Sequence, residues 1–214
     1  SIDKSGIRTR LFSMTIPPFL GNELITGKRV RLTMVQDSDL PCLVQWHNDL
    51  MYARLLRRGM VDPFASVDGF AEWLKGVYGK FDHDEFPFAI RTLEDDRLVG
   101  WLMIKDVFWQ ARHCSFFIGI GHAEDRGKGY GTDAVRTMLR FIFMEMNLNC
   151  VRLEVMAYNT DGIRAYERVG FRQDGRLRAF VYRDGVYYDI ITMSILREEW
   201  EMITSPSGSA DTAE

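Results

Sequence analysis

The sequence of 214 residues is poor in the features that would place it in a membrane, in an oxidising compartment or around a metal ion. It has no run of about 18 apolar residues, so no membrane-spanning helix is expected, and its first residues lack the apolar core of a signal peptide. Cysteine occurs three times, at Cys42, Cys114 and Cys150. An odd number, widely spaced in apolar surroundings, reads as reduced thiols rather than a disulfide framework, and the expected location is cytoplasmic. The four histidines, His47, His83, His113 and His122, form no i, i+4 pair and no C-x-x-C accompanies them, so no metal site is expected. Basic residues are not in excess: the formal net charge of -3 argues against nonspecific binding to nucleic acid and mildly favours cationic substrates.

What is present is enough apolar material, 46% of the chain, to bury one core without a second domain. Residues 1–26 show no clean period and contain Pro17-Pro18, so they read as an arm; the internal Met14 leaves open that residues 1–13 are a tag. The composition Ser205-Pro206-Ser207-Gly208-Ser209 near the other end reads as a flexible tail over 201–214. Between these ends strands and helices alternate. A strand is expected over 29–33 and a helix capped by Asp37 or Ser38 with Pro41 in its first turn. A helix near 50–56 and one capped by Ser66 follow, the latter leading to the acidic loop Asp82-His83-Asp84-Glu85. Strands over 86–91, 97–108 and 112–121, joined by short links, read as an antiparallel meander. A helix over 132–146, a strand over 150–157, a helix over 161–169 ended by Gly170, and strands near 171–183 and 186–197 complete a mixed α+β pattern.

The most telling segment is Asp125-Arg126-Gly127-Lys128-Gly129-Tyr130-Gly131-Thr132, which joins the apolar Phe116-Phe117-Ile118-Gly119-Ile120 to a helical stretch. A glycine-rich turn from strand to helix is an anion site, because unhindered backbone N–H groups and the positive end of the helix point at the ligand. Arg126 and Lys128 add two positive charges, so the turn is expected to hold a pyrophosphate. It is not G-x-x-x-x-G-K-[ST], which excludes a Walker loop, and it is G-x-G-x-G rather than the dinucleotide fingerprint.

What the turn does spell, through Arg126, Gly129 and Gly131, is R-x-x-G-x-G, which resembles the acetyl-CoA loop of the GNAT superfamily of N-acetyltransferases. Further along, Asn159 to Phe171 is similar to that family's N-x-x-x-x-x-x-Y-x-x-x-G-F segment, carried by Asn159, Tyr166, Gly170 and Phe171. Trp46-His47-Asn48-Asp49, the Ile118-Gly119-Ile120-Gly121 run and the close from Gly175 to Trp200 lean toward the branch that acetylates ribosomal-protein N-termini and polyamines. The resemblance implies a domain over 27–200 with the GNAT fold: a mixed, mostly antiparallel central sheet flanked by helices, with strands splayed at the acetyl-CoA site. It implies acetyl-CoA as co-substrate, held by Ile118, Gly119, Ile120, Arg126, Gly127, Lys128, Gly129, Tyr130, Gly131, Thr132, Asn159 and Tyr166. Long β-edges in this fold pair into homodimers, so a homodimer is one expectation.

Acyl transfer from a thioester to an amine needs a neutral amine, a donor for the oxyanion and a proton for the departing thiolate. An amine with a pKa near 10.4 is neutral in only about one part in 10³ at pH 7, an obstacle of roughly 4 kcal/mol. The family's strand bulge, which frees an oxyanion N–H, is expected around Ile118 to Ile120 with Gly119 as the bulge residue. Tyr166 stands at the position whose hydroxyl serves as general acid in the family; as a residue alone it equally fits a core helix stripe with Ile163. Asn159 suits either the pantetheine arm or the loop before a helix. The strand before the loop has no Asp or Glu, so the base is sought elsewhere: Glu154 first, then His122 and His113, then Asp106 and Asp125, or a water chain. The sequence thus points to direct attack by a primary amine on acetyl-CoA in a ternary complex. The missing strand carboxylate keeps a second reading, a non-catalytic acyl-CoA-binding or regulatory module, in play.

Overall fold

The computed structural model describes residues 22–56, 66–78 and 84–205; the expectations for residues 1–21, for Asp82 and His83, and for the tail beyond Ser205 lie outside these. Along the chain the elements are β1 (Val30–Thr33), α1 (Leu40–Asn48), α2 (Leu50–Leu56), α3 (Val67–Tyr78), β2 (Phe86–Thr92), β3 (Leu98–Phe108), β4 (His113–Ile120), α4 (Tyr130–Met144), β5 (Cys150–Met156), α5 (Thr160–Glu167), β6 (Arg172–Arg183), β7 (Val186–Leu196) and α6 (Arg197–Thr204). They build a seven-stranded sheet in the order β1-β2-β3-β4-β5-β7-β6. Every neighbouring pair is antiparallel except β4 with β5.

Alternation along the strands divides apolar side chains between two faces. On one face, Leu102, Ile104, Phe116, Val151 and Leu153 pack with Met138, Leu139 and Phe143 of α4. On the other, Ala89, Trp101 and Met103 pack with Leu43 and Trp46 of α1, Tyr52 of α2 and Leu74 of α3. Each of the larger buried side chains stabilises the fold by about 1.5–3 kcal/mol relative to leaving it in water. The sheet is therefore a wall with α4 and α5 on one side and α1 to α3 on the other.

Local signals set the helix starts. Ser66 Oγ accepts the Gly69 N–H at 3.1 Å, the expected cap of α3. Asp39 begins α1 but spends its carboxylate on Arg91 of β2, whose Nη2 donates to both oxygens at 2.6 and 2.8 Å, a buried ion pair that fixes α1 against the sheet. In the first turn of α4, Asp133 accepts the backbone N–H groups of Lys28, Arg29 and Val30 at 3.1, 2.7 and 3.0 Å, docking the entry to β1.

Three expected boundaries move. Helix α4 begins at Tyr130 rather than Thr132, because Gly129 takes the left-handed conformation (φ 86°) as its N-cap. Residues Asn22–Ile25 form a 3-10 turn, and Arg140 donates to Thr26 O at 2.6 Å, so this end of the expected arm is tied to α4. At the other end α6 carries helix through Thr204, past the expected boundary at 200; Trp200 packs against Phe143 at 5.2 Å between ring centroids.

Candidate active site

Strands β4 and β5 pair over three residues, His113 to Ser115 with Cys150 to Arg152, and then part. From Phe116 onward β4 stays on β3 while β5 follows β7, which leaves a gap through the sheet. The Gly121 N–H donates to Val99 O at 3.0 Å, which sets the phase of the β3–β4 ladder. By alternation the N–H groups of Ile118 and Ile120 face away from β3, into the gap, with no strand across from them. The expected bulge is not there: Trp101 pairs with Gly119 in regular register, and the shift in this ladder lies between Lys105 and Phe108. Splaying, rather than a bulge, frees the backbone donors. Gly119 is small for a different reason: a methyl group there would overlap the Tyr52 hydroxyl.

A cleft of about 670 Å³ runs through the gap. On the α4–α5 side it is walled by Ile118, Ile120, Arg126, Gly127, Gly129, Tyr130, Gly131, Thr132, Asn159 and Tyr166. On the α1–α3 side it is walled by Tyr52, Leu55, Leu56, Phe117, Glu154 and Tyr158. Of the residues expected to contact acetyl-CoA, only Lys128 is outside this lining.

The glycine turn is built differently from what its sequence suggests. Gly127 (φ 75°) and Gly129 (φ 86°) hold conformations that expose N–H groups, and nothing lies within 4 Å of where a Cβ on Gly127 would stand. Arg126, expected as a charge for the phosphates, donates instead to Ile120 O at 3.2 Å and Gly121 O at 2.9 Å, bracing the turn on the end of β4. Lys128 stands 3.6 Å from Asp125, its side chain half in water. Asp125 is buried, receives Arg97 in a two-pronged pair at 2.7 and 3.0 Å, and is held below the usual carboxylate range by that guanidinium. These residues fit a pyrophosphate as a backbone cradle at a helix N-terminus, with the cations as braces.

Tyr166 lies on α5 between Phe116 and Phe171, at centroid distances of 6.0 and 5.9 Å, and burial pushes its hydroxyl up to about 12. Its two readings merge: the ring packs with the core, and the residue lines the cleft. Asn159 is the N-cap of α5, its Oδ1 accepting the Gly162 N–H at 3.0 Å, so the bland reading of this residue holds for its oxygen. Glu154 lines the α1–α3 end of the gap. Of the weaker base candidates, Asp125 lines the cleft but is taken up by Arg97, and the others are elsewhere. His122 faces Trp46 Nε1 at 3.4 Å, His113 stacks on Phe108 at the paired end of β4, and exposed Asp106 bonds Lys105 and Ser115.

The α1–α3 wall was hidden in the sequence. Tyr52 sits on a helical stripe that looks like ordinary core, and Leu55 and Leu56 carry no motif. Tyr158 adjoins the recognised Asn159, which was its one available signal. Its hydroxyl donates to Arg54 O at 2.7 Å, and Arg54 in turn pairs with Asp184 of the β6–β7 turn at 2.8 and 2.9 Å. Helix α2 is thereby pinned across the mouth of the cleft. Among the described residues no group of three metal-ligating side chains occurs, and no helix is long and apolar enough to cross a membrane.

Comparison with known proteins agrees with this geometry. Residues 29–172 match the model of the acetyltransferase (GNAT) domain. The chain is 29% identical over 178 residues to the SPbeta prophage-derived uncharacterized N-acetyltransferase YokL of Bacillus subtilis, covering 83% of this chain and 95% of that one. It is 31% identical over 144 residues to a protein of the same organism named "Probable N-acetyltransferase YjcK", covering 65% and 78%. In structure it resembles the spermidine N-acetyltransferase from Vibrio cholerae solved with CoA and spermine, with a TM-score of 0.72 and 23% identity over 80% of this chain and 97% of that one, a likeness of fold. With its domain matched over two thirds of its length and its sheet splayed behind a glycine turn, the chain belongs to the GNAT family of acetyltransferases.

Proposed function

We propose that this protein transfers the acetyl group of acetyl-CoA to a primary amine by direct attack within a ternary complex. The observation that carries the reading is the cleft through the sheet: it runs from the backbone cradle on the α4–α5 side to the space under α2, so two substrates can meet in the gap from opposite faces. In the transfer, the amine lone pair forms the C–N bond at the thioester carbonyl and the C–S bond breaks. The N–H groups of Ile118 and Ile120 are the donors available to the oxyanion. Tyr166, protonated throughout the physiological range, gives its proton to the departing sulfur. The proton lost by the amine leaves on the α1–α3 side, where Glu154 is the carboxylate at hand. Backbone groups of Gly127, Gly129, Tyr130 and Gly131 hold the pyrophosphate. The absence of a membrane-crossing helix among the described residues and the scarcity of cysteine support a cytoplasmic setting. The free edge of β6, with exposed Phe180 and Tyr182, supports a homodimer.

The test is calorimetric binding of acetyl-CoA followed by release of CoA thiol against polyamines, amino acids, N-terminal peptides and aminoglycosides. Binding with amine-dependent turnover is expected. Binding without turnover on any amine would favour the non-catalytic acyl-CoA-binding module, and absence of binding would remove the cradle reading altogether.

A further inference from the structure

Two backbone donors serve the oxyanion in the proposed transfer, and the wall under α2 holds a third polar group that the free protein leaves unused. Among the described residues, Tyr52 Oη and Trp101 Nε1 are buried without a well-formed hydrogen bond. They are close to each other nonetheless: burial raises the Tyr52 hydroxyl well above the ordinary tyrosine range, and the Trp101 N–H offsets part of that rise. A buried hydrogen bond left unmade is destabilising. A phenylalanine at this position would keep the ring's contacts with Trp46 and His47, each at 6.1 Å between centroids, and bury no polar atom. Packing therefore does not account for the oxygen.

Its position does account for it. Trp101 and Gly119 are register partners on β3 and β4, and Tyr52 comes down from α2 so that its hydroxyl fills the space a Cβ on Gly119 would take. Gly119 stands between Ile118 and Ile120, whose N–H groups face the gap, and these three residues line the cleft together with Tyr52. The direction of the polar pair is fixed as well. An indole N–H can only donate, so once it bonds the Tyr52 oxygen the phenol turns its own proton onward, and the pair ends in a donor strengthened by the bond behind it. Of the two reacting groups, the thioester oxygen takes a donor productively, whereas a donor on the amine lone pair would block attack. Hydrogen bonds of this kind are commonly misaligned in unliganded sites and tighten once substrate is in place.

Building on the transferase reading, we infer that Tyr52 is a further catalytic residue: its hydroxyl, backed by the Trp101 N–H, donates a third hydrogen bond to the thioester oxygen as negative charge develops there, beside the N–H groups of Ile118 and Ile120. Trp101, which acts through Tyr52, is a positioning residue. The hydroxyl keeps its own proton throughout, because burial holds it neutral across the physiological range. Water is already excluded from it, so a bond made there in the transition state requires little desolvation.

Tyr52→Phe tests this in the full chain. With acetyl-CoA carrying carbon-13 at the thioester carbonyl, the infrared band of the bound carbonyl should lie at higher frequency in the variant than in the wild type, while the calorimetric Kd stays the same. An unmoved band would overturn the inference, and this measurement needs no acceptor. With the amine that the wild type turns over fastest, kcat should fall about tenfold, since two backbone donors remain, and the KM for the amine should not change. A raised amine KM at unchanged kcat would put the hydroxyl on the amine, overturning the inference and leaving the transferase reading intact. The thermal midpoint of the variant should equal or exceed that of the wild type, because the hydroxyl it loses has no partner in the free protein. A clearly lower midpoint would show that the hydroxyl serves the fold, and would also overturn the inference. Acetyl-CoA bound by the wild type with no amine turned over would overturn the transferase reading and the inference with it.

Discussion

Around the glycine turn the cleft is walled by backbone: N–H groups held outward by left-handed glycines and the first turn of α4, with side chains serving as braces. Across the gap, under α2, the same cleft is walled by side chains, two phenols, two leucines, a phenylalanine and one carboxylate. On the proposed function, the difference follows from what each half would bind. A pyrophosphate is met by N–H groups, and only glycine leaves them both bare and correctly turned, so the residue type is dictated. An acceptor amine is met by volume, burial and one charge, which many side-chain sets can supply.

The largest effect expected is at the hinge between the halves. Tyr166→Phe removes the proposed proton donor while preserving the ring that packs on Phe116 and Phe171. It should lower kcat by about 10²-fold or more, with acetyl-CoA affinity unchanged by calorimetry. Because burial raises this hydroxyl to about 12, wild-type kcat should show no falling limb from loss of the acid below about pH 11. A loss of affinity as large as the loss of rate would make Tyr166 part of the cradle and blur the two halves.

Next comes the backbone side. Gly129→Val forces a branched residue into φ 86°, where it is disfavoured by about 1–2 kcal/mol or more. Acetyl-CoA should bind roughly tenfold more weakly, while kcat at saturation changes far less. Normal binding by this variant would mean that the turn tolerates another conformation and that the glycine spacing is incidental.

How much of this was legible follows the same division. The turn and Tyr166 could be read because a backbone demand and a position in a motif survive as residue identities at fixed spacing. The meander and the β6–β7 hairpin could be read from alternation. Tyr52, Leu55 and Leu56 could not, since a helix stripe facing a chamber has the same period as one facing the core. The reading of Gly119 as a bulge named the right residue for the wrong cause: space for the Tyr52 hydroxyl, a contact 67 residues away in sequence, is invisible in one dimension. Helix α6 escaped because its polar run Arg197-Glu198-Glu199 offers no apolar stripe before Trp200.

A smaller effect is expected where a brace is cut. Asp125→Asn removes the buried acceptor of Arg97. The loss at pH 7 should be roughly 1–3 kcal/mol, below that of a fully buried pair because the Arg97 side chain is 44% exposed. Arg97 depresses the folded-state pKa of Asp125, so its contribution is complete above the unfolded-state carboxylate value and fades as pH falls through the folded one. Denaturant titrations of wild type and variant should therefore differ at pH 7 and draw together as pH falls below the usual carboxylate range. A difference that persists at low pH would mean that shape, not charge, holds the turn.

The smallest effect should come from the residue that, by sequence, looked like a principal phosphate ligand. Lys128 is not among the residues that line the cleft and stands 3.6 Å from Asp125, with 51% of its side chain exposed. A cation so placed is screened by water and salt, and its attraction to a pyrophosphate competes with its attraction to Asp125. Lys128→Ala should raise the acetyl-CoA Kd by less than about threefold at 0.15 M salt, and that small factor should shrink further at 0.5 M. The contrast with Gly129→Val is then direct, two substitutions one residue apart in a single turn. If the lysine variant loses more affinity than the glycine variant, the phosphates are held by side-chain charge, and the division of the cleft into a backbone half and a side-chain half fails at its stronger end.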